Sequence, residues 1–202
     1  LNRAGVTDVI AVDNLTRSEK FVNLAACRIS DYFDKNDFIA RVQAGTAPIP
    51  EAIFHQGACS DTMETDGRYM MENNYRYTLA LFEWAQKLRI PFIYASSAAT
   101  YGASSVFVED IANEGPLNVY GYSKYLFDQV LRARMGSLTA PAVGLRYFNV
   151  FGRRQNPDGA YAAVIPKFIR QLLKGERPTI NGDGKQSRDF TYIENVIEAN
   201  LK

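Results

Sequence analysis

The sequence predicts a doubly wound α/β fold, a parallel sheet covered by helices on both faces. Two patterns carry that prediction. Short apolar runs of strand length recur along the chain, and stretches of helical period separate them. Composition agrees, because 47% hydrophobic residues in a chain of 202 supply enough apolar mass for one sizeable core. Residues 9–13 (Val-Ile-Ala-Val-Asp) read as a buried strand that ends in a carboxylate, and residues 24–29 read as a second strand. Residues 34–39 open a helix with acidic side chains in its first turn, which suits the positive end of the helix dipole. Residues 52–55 form a third strand, broken by Gly57. A long helix spans 67–88, with Tyr77, Leu81, Trp84 and Leu88 on one face. After Pro91 comes a strand at 92–95, then mostly loop over 96–118, a helix at 120–134 and a strand at 143–147. A Gly/Arg/Pro-rich loop at 152–159 leads into a helix at 162–173.

Charge narrows the function. Lys+Arg 23 against Asp+Glu 22 leaves +1, so no surplus of cations exists to track a phosphate backbone or an anionic bilayer. The expected partners exclude nucleic acid and membrane. No apolar run approaches the roughly 18 residues of a membrane span, and no charged-then-apolar leader is read at the start. Cys27 and Cys59 show no CxxC spacing, so neither a disulfide framework nor a metal site is expected, and the reading is a reduced, cytoplasmic enzyme. The opening Leu1 and the helical pattern at the close read as cuts through a longer frame.

Three features carry chemistry. Asp13, at the carboxyl end of its strand, stands where a dinucleotide-binding sheet offers a carboxylate to a ribose, and equally where an Asx turn with Asn14 forms. Arg17 and Lys20 follow, as cations for a 2′-phosphate or as solvated charges. Tyr120-Gly121-Tyr122-Ser123-Lys124 sets a phenol and an ammonium on one helix face. The lysine's charge favours phenolate, so the spacing predicts a phenol pKa lowered from about 10 toward working pH. Such a tyrosine can take a proton from a sugar hydroxyl and return it. Ser96-Ser97-Ala98-Ala99-Thr100-Tyr101-Gly102 places hydroxyls directly after a strand, at the sheet edge where open α/β folds bind ligands. The lone His55 reads as structural, because Tyr120 and Lys124 already fill the acid/base roles. Met70, Met71 and Trp84 read as core. Arg153-Arg154 reads either as a phosphate site or as a solvated loop.

Together these residues resemble the extended short-chain dehydrogenase/reductases, whose fold is a Rossmann-type sheet. Residues 1–151 resemble the ADP-glyceromanno-heptose 6-epimerases within that family. The likeness rests on Val12-Asp13-Asn14-Leu15, Lys20-Phe21-Val22-Asn23-Leu24, the run from Glu51 to Ser60, Tyr69-Met70-Met71, the run from Tyr94 to Gly102, and Pro116-Leu117-Asn118-Val119-Tyr120 through Lys124. It implies Tyr120 as acid/base, Lys124 as its partner and a cofactor ligand, and Ser97 on the reacting hydroxyl. It implies a NADP (or NAD) site of Asp13, Asn14, Lys20, Lys35, Gln56, Gly57, Ala58, Cys59, Ser60, Asn73 and Val150, with Lys20 favouring NADP. Asn149 is expected on the substrate.

Residues 152–202 instead resemble the UDP-N-acetylhexosamine 4-epimerases, through Arg153 to Lys167 and Ile180 to Phe190. Arg188 is then expected to clamp a substrate phosphate. Where heptose epimerases carry a lysine as second base, counting from Gly152 reaches Asp158. Recombination, a deliberate chimera or a misassembled frame would each produce this junction. The resemblance implies residues 1–150 as a cofactor-binding domain without its first strand and glycine-rich loop, and 151–202 as the start of a substrate domain interleaved with it. It further implies a homo-oligomer acting on a nucleotide-diphospho-sugar by transient oxidation to a ketone. The expected activity is heptose 6-epimerisation in lipopolysaccharide precursor synthesis. UDP-GlcNAc or UDP-glucose 4-epimerisation is the alternative, and an inactive dinucleotide-binding module is an alternative of another class. The isolated 202 residues are expected to be inactive, poor at binding cofactor and marginally stable.

Overall fold

The structure, a computed structural model, describes residues 1–155, 164–180 and 182–202. Every strand pairing among them is parallel, in three separate sheets. Strand β1 (Ile10–Asp13) pairs with β2 (Asp31–Asp34). In the largest sheet β4 (Phe92–Ser97) lies between β3 (Ile53–His55) and β5 (Ala142–Tyr147). Short strands β6 (Val150–Phe151) and β7 (Thr191–Tyr192) form the third. The helices are α1 (Phe21–Leu24), α2 (Lys35–Ala44), α3 (Gly67–Met70), α4 (Tyr77–Leu88), α5 (Val119–Arg134), α6 (Val164–Leu173) and α7 (Ile193–Leu201). The part of the expected 162–173 helix before Val164 lies outside the described residues, as do Asp158 and Asn181.

One expected strand is absent. Residues 24–29 end α1 and turn, with the Cys27 N–H donating to the Leu24 carbonyl at 2.8 Å. The Asn2 side chain then occupies both backbone groups of Arg28, accepting at 2.8 Å and donating at 3.0 Å, so these groups are not free for a ladder. Pairing falls instead to Asp31–Asp34, where Tyr32 and Phe33 supply the aromatic bulk that favours strands. Asp34 closes β2 and caps α2, accepting from the Asn36 N–H at 2.8 Å, and Gly45 ends that helix with φ 71°.

The predicted 67–88 helix is continuous but not uniformly α: Met71–Arg76 form a π-helical segment between α3 and α4. The core packs α2, α4 and α5 against β4 through rings. Phe82 meets Phe127 edge-on at 5.6 Å, Phe127 meets Tyr94 at 4.8 Å, and Phe38 meets Trp84 at 6.0 Å. Met70 is fully buried and Trp84 nearly so, as expected of core residues. Of the four-residue face on α4, Leu81 and Trp84 are buried while Leu88 emerges to solvent. Among the described residues no helix is long and apolar enough to cross a membrane.

Phe127 is 1% exposed and touches three rings of this cluster, whereas Phe21 is 57% exposed. Denaturant titration of Phe127→Ala is expected to show a loss of about 3–5 kcal/mol. Phe21→Ala is expected to stay within about 0.5 kcal/mol of the parent.

Candidate active site

The tip of β4 gathers the predicted chemistry. Alternation along the strand buries Tyr94 and Ser96 on one face and leaves Ser97 half-buried at its end. The Ser97 hydroxyl accepts from the Ala99 N–H at 3.1 Å, which fixes the turn leaving the strand. Helix α5 begins beside it, capped by Asn118, whose side chain accepts from the Gly121 N–H at 2.8 Å. Gly121 makes this approach possible, because a Cβ there would stand 2.7 Å from the Ala99 carbonyl oxygen. One turn of α5 therefore lies directly on the tip of β4.

Ser97, Tyr120 and Lys124 meet there. Tyr120 is half-buried and hydrogen-bonded to the Ser97 hydroxyl. Lys124, 5% exposed, donates to the Ala95 carbonyl at 2.8 Å. The electrostatics differ from the expectation that lysine lowers the phenol. Burial raises the Tyr120 pKa above its usual 10, the Ser97 hydrogen bond opposes this, and Cys59 adds to the rise. Desolvation wins, and the Lys124 ammonium, which donates to Ala95, is not among the groups that shift the phenol. The same burial pulls Lys124 down to about 8, against the charge of Asp128.

His55 is structural. Its ring is stacked between Tyr77 and Phe92, and its Nε2 lies 2.8 Å from the Thr78 hydroxyl. Thr78 spends its single proton on the Asn74 carbonyl at 2.5 Å, so the hydroxyl accepts from His55 and Nε2 carries the hydrogen. Burial, reinforced by Lys124, lowers the imidazole to about 3.

A groove of about 1480 Å³ runs between β1 and β3. Its apolar lining includes Ile10, Val12, Ile53, Phe38 and Leu81. The same lining brings together Asp13, Asn14, Lys20, Lys35, Asn73 and the whole Gln56–Ser60 stretch, ten of the twelve expected cofactor residues. Asp13 forms the Asx contact with Asn14 (2.7 Å) and also accepts from the Lys20 ammonium at 2.6 Å. The Lys35 ammonium donates to the Asn73 side chain. Arg17 lines the groove too. A dinucleotide fits this donor set: a strand-end carboxylate for a ribose, cations for phosphate, and an exposed run of backbone at 56–58.

Val150, Asn149 and Arg188 are not part of the groove lining. Val150 pairs with Thr191, Asn149 donates to the Asp189 carbonyl at 2.8 Å, and exposed Arg188 bonds the neighbouring Ser187 carbonyl at 2.7 Å. Arg154 donates to the Asn23 carbonyl at 3.1 Å, while Arg153 is exposed. Asn74 is the residue that sequence reasoning passed over. Buried in the π-helical segment, it clamps both backbone groups of Cys59 (2.8 and 2.9 Å) and donates to the Ser123 hydroxyl at 3.1 Å. Its signal was a polar residue at a buried position of an amphipathic helix.

A parallel α/β frame with Ser, Tyr and Lys at one strand tip and a groove alongside is the arrangement of a dinucleotide-binding fold. The chain belongs to the NAD dependent epimerase/dehydratase family, whose model matches residues 1–202. It is 55% identical to the ADP-L-glycero-D-manno-heptose-6-epimerase of Alkalilimnicola ehrlichii, an alignment covering 100% of this chain and 65% of that relative. The likeness to heptose epimerases thus continues through residues 152–202. Among solved structures it resembles the Helicobacter pylori ADP-L-glycero-D-manno-heptose-6-epimerase (TM-score 0.82, 33% identity, 96% of this chain and 63% of that one). It equally resembles the UDP-N-acetylglucosamine 4-epimerase of Methanobrevibacter ruminantium M1, solved with UDP-N-acetylmuramic acid (TM-score 0.82, 33% identity, 96% and 64%). The chain therefore spans just under two thirds of each relative's length.

The His55 assignment has a pH consequence. Folded His55 stays neutral down to about pH 3, whereas the unfolded imidazole protonates near 6.5. Between these values the unfolded state binds the extra proton, so stability falls as pH drops below about 6.5, by up to about 1.4 kcal/mol per pH unit. Denaturant titrations from pH 7 to 5 are expected to show that slope, and His55→Gln to lack it.

Proposed function

We propose that this chain carries the catalytic half of an NAD(P)-dependent nucleotide-sugar epimerase, with ADP-glycero-manno-heptose as substrate and C6 as the inverted centre. The observation that carries the reading is the meeting of Ser97, Tyr120 and Lys124 at the tip of β4, together with the groove lined by β1, β3 and the segments that follow them. The 55% identity to a heptose epimerase over the whole chain supports the substrate assignment. In this reading residues 1–150 bind cofactor and residues 151–202 open the substrate region, with Asn149 on the sugar and Arg188 on a phosphate. The protein works as a homo-oligomer in the cytoplasm.

A bound nicotinamide supplies the acceptor and donor of hydride. The protein's own groups handle the proton and the geometry. Ser97 holds the reacting hydroxyl against Tyr120. The phenolate takes the hydroxyl proton as the carbon is oxidised, and the phenol returns it to the ketone oxygen once the sugar has presented its other face. Burial keeps Tyr120 mainly a phenol, so oxidation proceeds from the minor phenolate formed when that proton leaves to solvent, and the phenol is the form that returns the proton to the ketone. Lys124, charged for the most part at pH 7, anchors the α5 side of the site through Ala95 and is the cation nearest the sequence position of Tyr120 on that face. Asp13 is the ribose ligand, and Lys20 and Arg17 favour the 2′-phosphate of NADP.

A second reading, 4-epimerisation of a UDP-hexose or UDP-N-acetylhexosamine, is favoured by the equal structural likeness to a UDP-N-acetylglucosamine 4-epimerase. Both substrates are to be assayed on the protein of the complete open reading frame. The proposal expects turnover of the ADP-heptose, and a drop in kcat of about 10²-fold or more in Tyr120→Phe with NADP affinity retained. Turnover of UDP-GlcNAc alone would select the second reading. Unchanged turnover in Tyr120→Phe would overturn the acid/base assignment.

A further inference from the structure

Behind the Tyr120–Lys124 pair lies a cluster of charges that proton transfer does not use. Asp128, 7% exposed, follows Lys124 by one turn of α5. Its carboxylate accepts from the Tyr94 hydroxyl at 2.7 Å, the Ser96 hydroxyl at 2.8 Å, and Arg146 Nε and Nη2 at 3.2 and 3.1 Å. Tyr94 and Ser96 belong to β4 and Arg146 to β5, so one side chain of α5 grips two strands. Arg146 also pairs with Glu114, whose side chain is sealed from solvent and held again by Arg132 and Gln129. The Arg146 guanidinium lies 4.8 Å above the ring of Tyr101, in the turn that leaves β4. Two carboxylates and two guanidinium groups make the cluster neutral.

Such a cluster is a weak device for stability alone, because burying ion pairs costs desolvation that packed hydrocarbon avoids. Directed bonds give something hydrocarbon does not, namely a fixed roll of α5 about its axis. Residues four apart share a helix face, so the roll that seats Asp128 between β4 and β5 also presents Lys124 to the Ala95 carbonyl. Gly144 of β5 leaves room for this, since a Cβ there would stand 2.4 Å from the Tyr94 hydroxyl.

We propose that Asp128 is a positioning residue for the acid/base pair: its grip on Tyr94, Ser96 and Arg146 sets the roll of α5 and with it the seat of the Lys124 ammonium on the Ala95 carbonyl. The proposal rests on reading Tyr120 and Lys124 as that pair. The titratable groups that interact with Lys124 are His55 from β3 and Asp128 from α5, and Tyr120 precedes it by one turn of the same helix. Asp128 in turn faces Tyr94 from β4, Arg146 from β5 and Arg132 from its own helix. Among these only Asp128 supports the ammonium against burial, so its removal lowers the Lys124 midpoint below about 8.

The test is NMR titration of the ¹³C-lysine-labelled full-length protein, following the Lys124 ε-carbon, which needs neither cofactor nor turnover. In Asp128→Asn the midpoint is expected to fall by about one pH unit, the shift an opposite charge nearby sustains. A folded Asp128→Asn with an unmoved Lys124 midpoint would overturn the proposal. A variant that keeps the charge but cuts the β4 anchors, Tyr94→Phe with Ser96→Ala, decides the geometric half even if Asp128→Asn does not fold. Amide exchange across 120–128 is expected to speed up several-fold in that variant relative to 77–88, and equal exchange would overturn the grip. Failure of Tyr120→Phe to lower turnover, by contrast, strikes the acid/base reading and leaves these two results standing.

Discussion

The bond from the Lys124 ammonium to the Ala95 carbonyl is the contact on which the site's geometry depends. It joins the middle strand of the largest sheet to the helix that carries the phenol. Each neighbouring feature keeps that bond in place. Strand β4 is fixed on both sides by parallel ladders to β3 and β5. Asn118 starts α5 at the right residue, and Gly121 removes the one side-chain atom that would hold the helix off the Ala99 carbonyl. Deeper in, Phe127 locks the helix into the aromatic core, and the groups gripping Asp128 fix its rotation.

Burial sets the charge state of the site. Desolvation raises Tyr120, lowers Lys124 to about 8 and lowers His55 to about 3. All three shifts disfavour charge, as expected where water is excluded. They do not move the groups equally. Ser97 opposes the shift at Tyr120 and Asp128 opposes it at Lys124, whereas Lys124 deepens it at His55. The polar groups are thus sorted: His55 is kept neutral and inert, and Lys124 keeps a charge at neutral pH.

Much of this was legible in the sequence, for identifiable reasons. Apolar runs placed β1, β3, β4 and β5 and helical periods placed α2 to α6, whereas β2, β6, β7 and α1 were not read. That Tyr120, Lys124 and Ser97 lie near one strand end was legible because strand end and helix face follow from periodicity. The strand expected at 24–29 failed because an apolar run does not reveal that Asn2, far away in sequence, occupies the Arg28 backbone. The lowered phenol failed because spacing gives proximity of charges but not depth of burial. Asn74 and Asp128 escaped notice for a related reason: each is a polar residue on a helix whose partners come from several other elements. The division of the strands into three sheets is likewise a matter of long-range pairing, which local pattern does not contain.

Burial raises the Tyr120 phenol and the Ser97 hydroxyl restrains that rise. NMR titration of the tyrosine ζ-carbons, with Tyr120 assigned by its loss in the phenylalanine variant, measures this directly. The midpoint is expected to lie above 10 and to climb further in Ser97→Ala, because the hydroxyl's hydrogen bond is what restrains the rise. A midpoint near neutrality, or one indifferent to the loss of the serine hydroxyl, would contradict it.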